Sequence, residues 1–323
     1  MTDPIPSQAR QFPNPLSAPS QTPRQRNVVF FNDRGLRAGW RLLIYILLVI
    51  IFASATRLVG RKIHPPTGGV PSPQLLLVNE IVNFAVVFGC ALLMGKIERR
   101  PPGVYGLPLA GAFGGKFWLG MLLGLMEVSL LMGLITAFGG YSFGALALSS
   151  SGVVRWGLFH LLLFTSVGFF EEFLFRGYMQ FTLADGIGFW PAAILLSVLF
   201  GGVHLSNPGE GPVGAASVVL VGLFFAFTLY RTGNLWYAVG LHAAFDWGES
   251  FLYSVPDSGL VLQGHLSNAV LHGPKWLTGA SVGPEGSAFC FLTMGLQFLV
   301  VLLLFPKRAE TSGSPAASSE IPV

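Results

Sequence analysis

The sequence predicts an all-α fold, a polytopic membrane protein of about eight transmembrane helices, and three observations carry that prediction. Only 11% of the 323 residues are charged while 52% are hydrophobic. Soluble domains carry roughly 25% charge, so this chain cannot cover a soluble core with polar side chains. The mean hydropathy of +0.63 excludes intrinsic disorder over most of the length. The apolar residues also gather into discrete runs of membrane-spanning length.

Those runs fall at 38–59, 75–94, 117–138, 156–179, 189–205, 214–230, 235–253 and 288–305. At 1.5 Å per residue, about 20 apolar residues cross the hydrocarbon layer. The fifth and sixth runs are short at 17 residues each. Breakers separate the runs: Pro65, Pro66, Gly68 and Gly69 after the first, Pro101 and Pro102 after the second, and Pro208, Gly209, Gly211 and Pro212 between the fifth and sixth. Residues 1–37, rich in Pro, Gln, Ser and Arg without an apolar core, read as a disordered cytoplasmic tail rather than a cleaved signal peptide. Residues 306–323 read as a second such tail, leaving 38–305 for the bundle. No internal repeat and no second soluble domain is evident.

The 19 basic and 15 acidic residues give a net charge of +4, which position explains better than affinity for nucleic acid, and no nucleic-acid partner is expected. With eight spans, Arg37, Arg41, Lys96, Arg99, Arg100, Lys116, Arg231, Lys307 and Arg308 share the side of the amino terminus, against Arg57, Arg61, Lys62, Arg155 and Lys275 opposite. By the positive-inside rule both termini are cytoplasmic, and the expected location is the inner membrane. Cys90 and Cys290 lie inside apolar runs and read as small buried hydrophobes, with no disulfide framework or CxxC motif. Trp236 and Tyr237 read as interfacial belt residues, and the abundant glycine as close helix packing.

Charges inside the runs ask for a partner or a task, since each costs about 2.5 to 3.5 kcal/mol at bilayer depth. The fourth run contains Glu171, Glu172 and Arg176. Glu172 and Arg176 are four apart with the acid first, the favourable same-face arrangement, while Glu171 is rotated by about 100° away from it. One carboxylate reads as structural and the other as available. The fifth run ends at His204, and the seventh places His242 and Asp246 four apart on one helix face. If the fourth and fifth helices form a hairpin turning near Gly186, Glu171 and His204 lie within about 5 Å in depth. A carboxylate and two imidazoles converging in an apolar setting suit activation of water and hydrolysis of an acyl bond.

In their order and spacing, Glu171-Glu172-x-x-x-Arg176, Phe200-x-x-x-His204 and His242-x-x-x-Asp246 resemble the three motifs of the CPBP family, the CAAX proteases and bacteriocin-processing enzymes also called the Abi family. The helices carrying them span about 156–253, the expected catalytic core. The basic Gly35–Arg41 lead-in to the first run, Tyr105-Gly106-Leu107, and Gly283-Pro284-Glu285-Gly286 before the last run agree with the resemblance. It implies an intramembrane endopeptidase in which Glu171 activates water with help from His204, His242 and Asp246 stabilise the oxyanion, and Glu172 and Arg176 hold the site in shape. The eukaryotic prenyl-protein proteases are expected to have Asn at the position of Asp246, and an ionised Asp cannot donate to an oxyanion. Either Asp246 is protonated, or it orients His242, or this branch of the family uses a different detail.

The expected substrates are membrane-associated proteins or peptides, with membrane lipid as the surrounding partner. No cofactor is expected. The alternative is a divalent metal such as zinc held by Glu171, His204 and His242, since imidazole and carboxylate are ordinary zinc ligands, although HExxH is absent. Two other functions compete: a non-catalytic scaffold or bacteriocin-immunity-type binding protein, and a proton-coupled transporter, which the lack of repeated halves counts against. His64, His160, His265 and His272 read as loop or interfacial residues. Glu80 and Glu127 read as structural polar groups inside the bundle. The stretch after Tyr253, with its apolar patch at 260–262, reads as a lid or a re-entrant segment.

Overall fold

The computed structural model describes residues 29–32, 35–63, 72–207 and 209–306. Most of both expected tails, together with His64 and the first set of breakers, lies outside the described residues. The chain divides into two units, Met1–Arg37 and Ala38–Val323. Within the first, β1 (Phe31–Asn32) and β2 (Gly35–Leu36) pair antiparallel, Phe31 opposite Leu36.

The second unit is helical: α1 (Ala38–Ile63), α2 (Pro73–Glu98), α3 (Gly115–Ala137), α4 (Ser150–Arg176), α5 (Tyr178–Ile187), α6 (Phe189–His204), α7 (Pro212–Thr232), α8 (Trp236–Trp247), α9 (Lys275–Thr278) and α10 (Ala288–Leu304). Side-chain caps start three of them. Ser72, Ser149 and Ser287 each accept from the amide three residues on, satisfying one of the donors a helix start leaves open. Proline opens α7, and Gly233 at φ +76° closes it.

All eight apolar runs are helical, so the chain is an all-α, multi-pass membrane protein. Among the described residues, five helical segments are long and apolar enough to cross a membrane: α1, α2, α3, α4 continued by α5, and α7. The remaining runs form shorter helices of 16, 12 and 17 residues in α6, α8 and α10. Outward apolar stripes recur at helical spacing, as in Trp118, Leu122, Met126 and Leu130 of α3 or Leu292, Leu296, Leu299 and Leu303 of α10, the pattern of a lipid-facing surface.

The short α8 is buried on all sides. Trp236 is 5% and Tyr237 0% exposed, so neither is a belt residue as the sequence suggests. The reason is backbone contact with α3. A Cβ at Gly120 would stand 2.2 Å from the Tyr237 carbonyl oxygen, one at Gly124 2.3 Å from that of Leu241, and one at Gly240 2.2 Å from that of Phe117. Small residues four apart let the two helices touch main chain to main chain, which places α8 and its polar residues at the centre of the bundle.

Two helices, α5 and the one-turn α9, correspond to none of the eight runs. The ladder of α4 stops at Gly177 and α5 follows, and the turn into α6 falls at Gly188, φ +87°, two residues from Gly186. An ionic node anchors α5. Asp185 accepts from Arg41 at 3.0 Å and Arg100 at 2.6 Å, and Glu98 accepts from Arg41 at 2.8 Å and from Tyr178. The stretch after Tyr253 folds as a cap. Its β4 (Val270–Leu271) pairs with β3 (Tyr141–Ser142), and the Gly259 amide donates to Val282 at 2.8 Å.

Candidate active site

α4 reaches α8 at Gly168, where a Cβ would lie 3.1 Å from the Val239 carbonyl oxygen. One turn later the wholly buried Glu172 meets α8 side chain to side chain. Its Oε1 accepts from His242 Nδ1 at 3.0 Å and from Arg176 Nη1 at 3.4 Å. The Arg176 guanidinium is 1% exposed and rests 4.4 Å from the ring centre of Phe200, with Phe175 and Phe225 at 5.7 and 5.6 Å. Gly222 makes room for it, since a Cβ there would fall 2.7 Å from Nη2. A carboxylate and three aromatic faces thus replace the water this cation loses.

Glu172 fixes His242 in turn. A carboxylate can only accept, so Nδ1 carries the proton and Nε2 points to the working side. There Asp246 Oδ2 stands at 3.3 Å and Glu171 Oε2 at 3.8 Å. Phe225 stacks on the imidazole at 5.2 Å with 16° between the planes. The adjacent glutamates differ sharply: the side chain of Glu172 is 0% exposed and that of Glu171 24%, because one residue of helix rotation turns Glu171 towards open space.

That space is a cavity of about 320 Å³ lined by Glu171, His204, His242 and Asp246. His204 enters at the end of α6, its Nδ1 2.8 Å from the carbonyl oxygen of Phe200. A carbonyl also only accepts, so the neutral ring keeps Nε2 as a free acceptor. His204 makes no hydrogen bond or ion pair with Glu171 or His242 among the described residues; the cavity alone joins them. The structure therefore draws Glu171, His242 and Asp246 together, sets Glu172 and Arg176 behind them, and leaves His204 across the gap.

Glu80 and Glu127 line the same cavity, and among the described residues its lining holds no lysine or arginine. His160 differs from the sequence reading. It is wholly buried in α4, 3.0 Å from the Gln263 carbonyl oxygen and ringed by Trp156, Phe159, Phe164 and Phe251, because the cap folds over that face of the helix. Leu260 and Leu262 of the cap line the cavity, as do Asp257 and Glu285. Burial, with Asp246 adding repulsion, holds the Asp257 carboxyl well above its usual range and pushes Glu285 up to about 7. No spacing rule in the sequence points to Asp257, and Glu285 was visible only as part of its Gly-Pro-Glu-Gly turn.

The class these features define is a multi-pass helical membrane protein with glutamate and histidine side chains facing an internal cavity at the centre of its bundle. Residues 153–248 match the family of Rce1-like proteins, described as type II CAAX prenyl endopeptidase Rce1-like. The match over this segment supports an intramembrane protease of the CPBP/CAAX type. The matched segment runs from α4 to the end of α8 and holds all six motif residues, from Glu171 to Asp246. No curated protein and no solved structure matches the chain.

Proposed function

We propose that the chain hydrolyses peptide bonds in membrane-associated proteins or peptides, using water activated by Glu171 and assisted by His204. The observation that carries this reading is the single cavity faced by Glu171, His204, His242 and Asp246. In the first step Glu171 takes a proton from water while the oxygen attacks the scissile carbonyl carbon. His204, with Nδ1–H tied to Phe200, offers Nε2 to orient that water. The oxyanion develops beside His242, whose Nε2 donates to it when protonated, and Asp246 at 3.3 Å orients that nitrogen. As the carbon–nitrogen bond breaks, the proton held by Glu171 passes to the leaving amine. General acid–base help of this kind is worth about 10² to 10⁴ in rate.

Glu172 and Arg176 act as positioning residues, holding the ring of His242 rather than touching substrate. The apolar walls, including Phe200, Val203 and Phe224, suit a substrate segment that arrives from the lipid. The reading places the protein in the inner membrane with both termini cytoplasmic, and assigns no catalytic zinc, so a zinc-selective chelator leaves turnover unchanged. The test is cleavage of a membrane-tethered reporter by wild type and Glu171→Ala at equal membrane levels. Loss of cleavage supports the reading, and retained cleavage overturns it.

A further inference from the structure

Just past Asp246 the chain leaves the matched family segment and turns three further carboxylates inward. A π-helical turn, Gly248–Leu252, follows α8. Gly248 packs so tightly on α3 that a Cβ would stand 2.4 Å from Val128 Cγ1. The next residue, Glu249, is 0% exposed, and neither of its carboxylate oxygens has a hydrogen-bond partner. A buried carboxylate with both oxygens unsatisfied is a costly arrangement that needs a compensating ligand.

The carboxylate of Glu249 is aimed at those of Asp257 and Glu285. One oxygen from each of the three lies within 4.8 Å of the others. The three come from separate segments: the turn after α8, the start of the cap, and the Pro284–Gly286 turn before α10. Ser258 donates to Glu285 Oε2 through its amide at 2.8 Å and its hydroxyl at 3.0 Å, and Ser250 Oγ donates to Asp257 Oδ2 at 3.3 Å. Asp257 and Glu285 border the cavity, which gives the cluster a path to water, and among the described residues that lining offers no lysine or arginine as counter-charge.

We propose that Glu249, Asp257 and Glu285 form a binding site for a hard divalent cation, calcium in preference to zinc. Three carboxylates without imidazole or thiolate are the ligand set of such an ion. Oxygens within 4.8 Å of one another fit around one ion at bonds of about 2.3 to 2.6 Å. Bound there, the ion ties the end of α8, which carries His242 and Asp246, to both ends of the cap over the cavity. The site stands whether or not the chain cleaves peptides, because its ligands lie outside the motif residues.

The experiment uses the full chain purified in detergent, stripped with a chelator, and dialysed against radioactive calcium chloride, with thermal unfolding followed in parallel. Wild type is expected to bind one calcium per chain and to unfold at a higher temperature with calcium than without. Glu249→Gln and Glu285→Gln are each expected to weaken binding by at least about tenfold, since ligand charge sets the affinity of such sites. Arg155→Ala, a surface change, is expected to bind as wild type does. Should Glu249→Gln fail to fold, the wild-type titration and Asp257→Asn still decide the matter. No stoichiometric calcium in wild type, preference for zinc, or a Glu249→Gln protein that unfolds later than wild type with and without calcium overturns the proposal; the last marks a cluster that shares protons instead.

Discussion

Removing Glu172 tests how the site is held. In Glu172→Ala the guanidinium of Arg176, 1% exposed, loses the carboxylate at 3.4 Å, and its Nη2 already has no hydrogen-bond partner. Three aromatic rings remain around it, worth too little to hold a bare cation. Breaking a buried pair from one side costs about 3–5 kcal/mol, and His242 Nδ1 loses its acceptor as well. At about 2–4 °C per kcal/mol for larger domains, the melting temperature should fall by roughly 6–20 °C. Adding Arg176→Met takes away the orphan charge and puts a thioether among Phe175, Phe200 and Phe225, a favourable contact. The double variant should therefore recover at least about half of the lost stability, since apolar replacement of a whole buried pair is often neutral. Thermal unfolding of the purified proteins in one detergent reads all four corners of the cycle. A single variant within about 1 kcal/mol of wild type, or a double variant no more stable than the single, refutes the reasoning.

Two other predictions concern the scaffold. Gly124→Ala sets a Cβ 2.3 Å from the Leu241 carbonyl oxygen, whereas Gly133→Ala on the same helix meets nothing within 4 Å; the first should lower stability by about 1–3 kcal/mol or more and the second should not, as compared by thermal unfolding. Asp185→Asn weakens hydrogen bonds from Arg41 and Arg100 and should cost about 1.5–3 kcal/mol, with α5 showing faster hydrogen exchange than α8; equal exchange in wild type and variant would count against the node.

Much of this arrangement was legible in the sequence because charges are rare in an apolar chain and therefore conspicuous. Glu171, Glu172, Arg176, His204, His242 and Asp246 stood out for that reason, and helix arithmetic separated Glu172, beside Arg176, from Glu171. Helix rotation was not legible, so the contact of His242 with Glu172, rather than of Glu171 with His204, came only with the packing of Gly168 on α8. α5 was hidden because Gln180, Thr182 and Asp185 dilute its hydropathy, and the partners of Asp185, Arg41 and Arg100, lie far away in sequence. Glu249 stands three residues after Asp246, a same-face spacing that could have flagged it. Asp257 sits in a polar turn where an acidic residue carries no signal, and only the folded cap brings it beside Glu285. The burial of Trp236 and His160 likewise follows from tertiary contacts that local sequence does not encode.

The claim that the Glu171 carboxylate activates water is tested most directly by Glu171→Gln, which keeps the shape of the side chain and removes its basicity. Purified wild type and variant, reconstituted at equal amounts into liposomes with a membrane-tethered reporter peptide, should differ by about 10² to 10⁴ in cleavage rate while unfolding at the same temperature. Cleavage by Glu171→Gln within about threefold of wild type would contradict the account.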